Sequence, residues 1–267
     1  MPTALELAKA IQPELIDIRR DLHLHPEIAW EEVRTGGIAA DFCERLGLKV
    51  KRHAAKTGVI AELNAEKPGP ILGLRADMDA LPIEEENAVP YKSLSAGKGH
   101  LCGHDAHTAM LMGAAKILTR YKDQIPFPVR FIFQPAEEVP PGGAEMLIAE
   151  GHLDGVGEIL GLHVNPLIPV GCIGLRSGPF MASMDKFVIN VEGVGGHGAM
   201  PHLSRDPVLA AAEIVVALQG IVARRVDPLD SAVVSVCQMD AGSAFNVIPS
   251  KARLIGTARS LSAHTRE

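Results

Sequence analysis

An α/β fold is predicted by three features of this 267-residue chain. Short apolar strand-like runs alternate with helical stripes over its first two thirds, the pattern of a largely parallel or mixed sheet flanked by helices. From about residue 183 the pattern becomes a β-α-β-β run, that of a small α+β unit with one helix layer on one sheet. Turn chemistry at Ser177-Gly178-Pro179 separates the two, placing one domain over residues 1–180 and a second over 181–267.

Each element has a local reason. Leu7, Ile11, Leu15, Ile18 and Leu22 recur at three- and four-residue spacing, which predicts an amphipathic helix over 4–22. Pro26 stops it, and the histidines of His23-Leu24-His25 suit capping or packing there. A second helix over 33–47 closes at Gly47. Gly58–Leu63 and Ile71–Arg75 read as strands joined by a turn at Lys67-Pro68-Gly69-Pro70. There follow a helix over 105–122, a strand at Val129–Phe133, a short helix over 142–150 and a strand at Ile159–His163. In the second domain Asp185–Val191 alternates as a half-buried strand should. Asp206-Pro207 supplies an N-cap and first helical position for a helix over 206–224, and strands follow at 231–238 and 252–259. Residues 262–267 read as the capped first turn of a further helix, too short to stand alone. A frayed tail or a shortened version of a longer protein is the expectation there.

Composition excludes several classes. Apolar residues make up 47% and charged residues 22%, as in ordinary globular proteins. The formal net charge is −6 and the basic residues form no long block, which argues against nucleic acid as a partner. No run approaches about 18 uninterrupted apolar residues, so no membrane partner or spanning helix is expected. Glu6 and Lys9 interrupt the N-terminal apolar positions, so no signal-peptide core is expected. Cys43, Cys102, Cys172 and Cys237 are scattered without paired spacing, which predicts a reduced, cytoplasmic protein.

The chemistry concentrates in Gly99-His100-Leu101-Cys102-Gly103-His104-Asp105-Ala106-His107. Cys102 and His104 are two apart and cannot share a face of a regular helix, but a glycine-bent loop lets both reach one metal ion. His100 and His107 suit supporting roles around such a site. Glu137-Glu138 follows a strand within Gln134-Pro135-Ala136-Glu137-Glu138. Either the pair is a solvated acidic loop, or one carboxylate binds metal while the other serves as a base in hydrolysis. His163 ends an apolar strand, where a satisfied core histidine and a metal ligand are both open readings. In Gly193–His202 the glycines around His197 suit either a turn or a residue that swings onto substrate, and no Gly-Lys-Ser/Thr follows to make a phosphate loop. Arg75-Ala76-Asp77-Met78-Asp79 carries charges that pair with one another or steady metal ligands. Asn246 is a turn residue or a substrate contact.

Seven segments in order carry a resemblance: Asp21–Glu27, Leu74–Pro82, Cys102–His107, Gln134–Glu138, Gly161–His163, Gly195–His202 and Asn246–Pro249. Together they resemble the dinuclear-metal amidohydrolase and metallopeptidase family of aminoacylase and carboxypeptidase G, in its branch of hippurate hydrolases and auxin-conjugate hydrolases. The resemblance implies a zinc-peptidase-like catalytic domain with a lid or dimerisation domain. It implies two divalent ions, Zn2+ or Mn2+ with Co2+ or Ni2+ as further candidates, on Cys102, His104, Glu138 and His163, with Cys102 able to bridge. It also implies Glu137 as general base, His197 polarising the scissile carbonyl, Asn246 near the substrate and a homodimer formed through the lid. Family members continue into a final segment with another metal-binding histidine, so the resemblance implies a chain lacking that portion. The expected reaction is hydrolysis of N-acyl amino acids, hippurate-like or N-acetyl, to carboxylate and amino acid. A dipeptidase or exopeptidase with the same centre, and an inactive fragment, are the competing expectations.

Overall fold

Helix α1 (Ala4–Leu24) begins at a capping box in which Thr3 Oγ1 accepts from Glu6 N at 3.3 Å and Glu6 Oε2 accepts from Thr3 N at 2.7 Å. The computed structural model describes residues 2–267 and forms two units, Met1–Leu167 and Ile168–Glu267. At the other end of α1, His25 Nδ1 donates to the Asp21 carbonyl at 2.8 Å, the capping role expected of it. Helix α2 (Val33–Arg45) starts where the Glu27 carboxylate accepts from Arg34 N at 2.9 Å and Thr35 N at 2.7 Å.

The rest of the first unit is β1 (Lys49–Ala54), β2 (Gly58–Leu63), β3 (Ile71–Asp77), α3 (His104–Arg120), β4 (Val129–Gln134), α4 (Gly143–Ala149) and β5 (Val156–Gly161). The strands form a mixed sheet in the order β1-β2-β4-β3-β5. β3 runs parallel to β4 and β5, and β2 antiparallel to β1 and β4. On β4, Phe131 and Phe133 enter the core with Met78, Met112 and Cys43, while Ile132 points the other way to Ile60 and Leu147 of α4. A strand buried on both faces is largely apolar, and Val129–Phe133 is interrupted only by Arg130, whose Nη2 donates to Glu62 Oε1 at 2.8 Å. β1 was not foreseen: its Lys49, Lys51, Arg52 and His53 are exposed on an edge strand, so no apolar alternation betrays it. β5 starts and ends earlier than the apolar run, leaving His163 beyond it.

Parallel pairing brings the ends of β3 and β4 together, with Asp77 opposite Gln134, while Arg75 pairs with Gly161 at the end of β5. Loops leaving these three strands therefore open on one edge of the sheet, where α/β proteins gather ligands.

The second unit holds β6 (Asp185–Glu192), β7 (Gly196–His197), a 3-10 turn (Pro201–Leu203), α5 (Pro207–Arg224), β8 (Ala232–Ala241), β9 (Val247–Ile248), β10 (Lys251–Ser260) and α6 (Ala263–Arg266). β6, β10 and β8 form an antiparallel sheet in that order. α5 lays Ala211, Ile214 and Val215 on Ala252, Leu254 and Ile189. Asp206 Oδ1 caps α5 by accepting from Val208 N at 2.8 Å, with Pro207 in the first turn. α5 is also long and apolar enough to cross a membrane by length and composition, with 18 residues at a mean hydropathy of 1.6. It is not an uninterrupted apolar run, because Glu213 and Gln219 break the series; Leu209, Val216 and Ile221 are exposed on it.

Removing the ring of Phe131 leaves a cavity at the centre of the first unit. Phe131→Ala is expected to cost about 3–5 kcal/mol, and Asp206→Ala about 1 kcal/mol through the lost cap of α5, both read from urea unfolding curves.

Candidate metal centre

Gly103 lets Cys102 and His104 converge. It is the N-cap of α3 and has φ 95°, a left-handed conformation that a side chain would strain. A Cβ there would also lie 2.3 Å from Val164 Cγ2. The bend sets Cys102 Sγ 3.4 Å from Nε2 of His163, 61 positions along the chain. His163 Nδ1 donates to the Val164 carbonyl at 2.7 Å, which leaves Nε2 as a lone pair facing the thiol.

His104 is the hub. Its Nδ1 lies 3.3 Å from Asp79 Oδ1, and its Nε2 lies 3.7 Å from Asp77 Oδ2, 3.8 Å from Glu138 Oε1 and 4.0 Å from Glu137 Oε2. The ring is fully buried, yet neither nitrogen has a hydrogen-bond partner. Its neighbour Asp105 ties the first turn of α3 to α1, accepting from Arg19 Nε and His23 Nδ1, each at 2.7 Å.

The Glu137-Glu138 loop is held from below. Ala136 has φ 48°, a left-handed conformation costing a non-glycine residue roughly 1–2 kcal/mol. Its N–H is taken at 2.7 Å by Oε1 of the fully buried Glu32, whose Oε2 accepts from Thr57 Oγ1 at 2.6 Å. Asp79 Oδ2 accepts the Glu138 N–H at 3.0 Å. Gly143 completes the seat, because a Cβ there would lie 2.1 Å from the Pro135 carbonyl oxygen. Sequence reasoning overlooked Glu32: it sits just before α2, 104 positions from the backbone it holds, and no local pattern marks it.

Negative charge accumulates around His104. Burial and the adjacent Glu138 push the Glu137 carboxyl up from its ordinary value. Burial, reinforced by Glu138, pushes the Cys102 thiol up to about 12. Burial alone would lower His104, but Asp79 and Asp77 outweigh it and raise it. Burial would raise Asp77, but the bond from His107 and the charge of Arg75 hold it well below the usual carboxylate range.

Donor atoms of Cys102, His104 and His163 lie within 4.8 Å of one another, as do those of His104, Glu137 and Glu138. A thiol, imidazoles and carboxylates in this spacing, with an orphaned buried imidazole at their junction, fit divalent cations of the zinc type. Asp77, His104 and His107 are equally close. That third group fits less well, since both nitrogens of His107 and both oxygens of Asp77 already have protein partners.

His197 and Asn246 come together in the second unit. β7 pairs with β9 through His197 and Val247, and Gly198 N donates to the Asn246 carbonyl at 2.8 Å. A Cβ on Gly198 would lie 2.9 Å from that oxygen, so the glycine-rich loop is shaped by close approach. His197 Nδ1 accepts from Ala199 N at 3.1 Å, which assigns the hydrogen to the exposed Nε2.

A mixed α/β sheet whose strand ends gather thiol, imidazole and carboxylate donors defines a divalent-metal-binding protein. The chain belongs to peptidase family M20/M25/M40, whose model matches residues 73–265. It is 44% identical over 256 residues to an N-acetyl-L-cysteine deacetylase of Bacillus subtilis, covering 96% of this chain and 61% of that protein. It is likewise 44% identical over 253 residues to an N-acyl-L-amino acid amidohydrolase of Geobacillus stearothermophilus, covering 95% and 68%. The chain thus spans between 61 and 68% of the length of these curated relatives. A solved Bacillus subtilis structure, a dinuclear metal-binding peptidase of the M20 family, superimposes with a TM-score of 0.81 at 40% identity, covering 97% of this chain and 67% of that one.

A thiol pushed up to about 12 is protonated at neutral pH and must lose its proton to bind a cation. Zinc affinity is therefore expected to rise from pH 6 to pH 8 with net proton release, measured by calorimetry in buffers of different ionisation enthalpy.

Proposed function

We propose that this chain carries the centre of a metal-dependent amidohydrolase that cleaves N-acyl amino acids to a carboxylate and a free amino acid. The observation that carries the reading is the meeting of Cys102, His163, Glu137 and Glu138 around the unsatisfied imidazole of His104. Cys102, His104, Glu138 and His163 would hold two divalent ions, with Zn2+ or Mn2+ the candidates. Ions held there acidify water and polarise an amide carbonyl.

The remaining work falls to side chains. Glu137 is the more exposed of the two glutamates, with its side chain 43% open against 23% for Glu138. It stays free to take a proton from water and hand it to the leaving nitrogen. The exposed Nε2–H of His197 would donate to the carbonyl oxygen as charge develops there. Asn246, on the same ribbon, would contact the substrate. The names of the two N-acyl hydrolysing relatives support this substrate class. The peptidase superimposed on this chain favours a second reading, exopeptidase action at the same centre. A homodimer through the second unit is the assembly we propose, supported by the apolar face that α5 leaves exposed.

Glu137→Gln is expected to lower turnover of hippurate or N-acetyl amino acids about 10²–10⁴-fold while bound metal, counted by elemental analysis, stays unchanged. Loss of metal in that variant would exchange the roles of the two glutamates. Dipeptides cleaved faster than acyl amino acids would favour the exopeptidase, and bound metal with no product from either would leave a non-catalytic fragment.

A further inference from the structure

His163 occupies an exposed place for a metal ligand. It lies past the end of β5, in a stretch without regular secondary structure. Among the described residues, two polar contacts tie residues 163–167 to the rest of the unit: Val164 N–H donates to His107 Nε2 at 2.9 Å, and His163 meets the Cys102 thiol, while the His163 ring also packs edge-on against those of His107 and His104, with centroids 4.6 and 6.1 Å away. The other bonds stay inside the segment, from His163 Nδ1 to the Val164 carbonyl and from Leu167 N to Asn165 Oδ1. One buried imidazole on α3 therefore carries the backbone connection.

The proton count of that imidazole is closed. His107 Nδ1 lies 2.6 Å from Asp77 Oδ1, and an ionised carboxylate only accepts, so Nδ1 bears the hydrogen. The Val164 N–H only donates, so Nε2 is a lone pair. Asp77 is itself fixed by Arg75 Nη1 at 2.6 Å, and Arg75 Nε donates to Gln134 Oε1 at 2.9 Å. A chain of hydrogen bonds, charge-assisted as far as Asp77 and His107, thus runs from the ends of β4 and β3 through α3 to the peptide beside His163. Gly103 closes the arrangement: Val164 packs where a Cβ on that glycine would stand, directly between Cys102 and His104 in sequence.

We propose that His107 is a positioning residue: through its Nε2 it anchors Val164 and so aims His163 at the cation site. This rests on the reading of His163 as a ligand. His107 is buried and both its nitrogens are used, so it acts on the metal only through its neighbour.

Two substitutions separate the two ends of the ring. Glutamine at 107 reaches as far as Nε2 and can accept from Val164, whereas asparagine reaches only as far as Nδ1, toward Asp77. Co2+ binding to the full chain, followed by its visible ligand-field and thiolate charge-transfer absorption, reads the result. His107→Gln is expected to keep affinity within about threefold and to keep the spectrum, while His107→Asn loses about 10–100-fold, the usual effect of removing a partner that orients a ligand. Equal behaviour of the two variants, both tight or both weak, overturns the proposal. His163→Ala distinguishes this from failure of the ligand reading: if it leaves Co2+ affinity unchanged, His163 is no ligand. Should the variants fail to fold, long-range 1H–15N spectra of the unaltered protein decide, because a hydrogen on His107 Nε2 overturns the anchor.

Discussion

The structure is organised around one electrostatic problem, a fully buried histidine with no hydrogen-bond partner surrounded by four carboxylates and a thiol. Desolvated like charges at these distances cannot all ionise at little cost, and protonating His104 offsets only one of them. Divalent cations remove the conflict, because thiolate, imidazole and carboxylate then become partners of one charge. The raised carboxyl of Glu137 and the raised thiol of Cys102 are two expressions of that conflict in the protein alone.

The fold meets this demand by geometry. Three parallel strands end on one edge of the sheet, and each releases a loop or residue into the centre: Asp79 after β3, the glutamate pair after β4 and His163 after β5. α3 brings the Cys102-Gly103-His104 bend to the same edge. Beyond single bridges from Ala80 to Ile28 and from Leu81 to Gly99, ladder pairing does not extend into these loops, and each has an anchor of its own. Glu32 grips the left-handed Ala136, Asp79 the Glu138 amide, Asp105 the start of α3 and His107 the Val164 amide. These anchors are buried ionic or imidazole groups; Glu32 and His107 have both polar atoms bonded, whereas Asp79 and Asp105 each keep Oδ1 without a hydrogen-bond partner.

Most strands and helices were legible because burial imposes periodicity. β4 is marked by an apolar run broken only at Arg130, α1 by its stripe, and α5 by Asp206-Pro207. β1 was not legible, since an edge strand rich in lysine and arginine lacks the alternation that a buried face requires. The division of the chain at Leu167 and Ile168, ahead of the Ser177-Gly178-Pro179 turn, follows contacts that no local composition records.

For the site, sequence alone determined the chemical inventory: a Cys-Gly-His bend, an acid pair after a strand, and a histidine after another. Residue type and the glycine between donors are local properties, so one chain of letters contains them. Only the tertiary structure decided which donors share a cation and what holds them there. Cys102 meeting His163, Glu32 reaching Ala136 and His107 reaching Val164 are contacts across 61, 104 and 57 positions. Such partners are chosen by the packing of sheet and helix, and each needs its bond because a buried polar group left without one is costly.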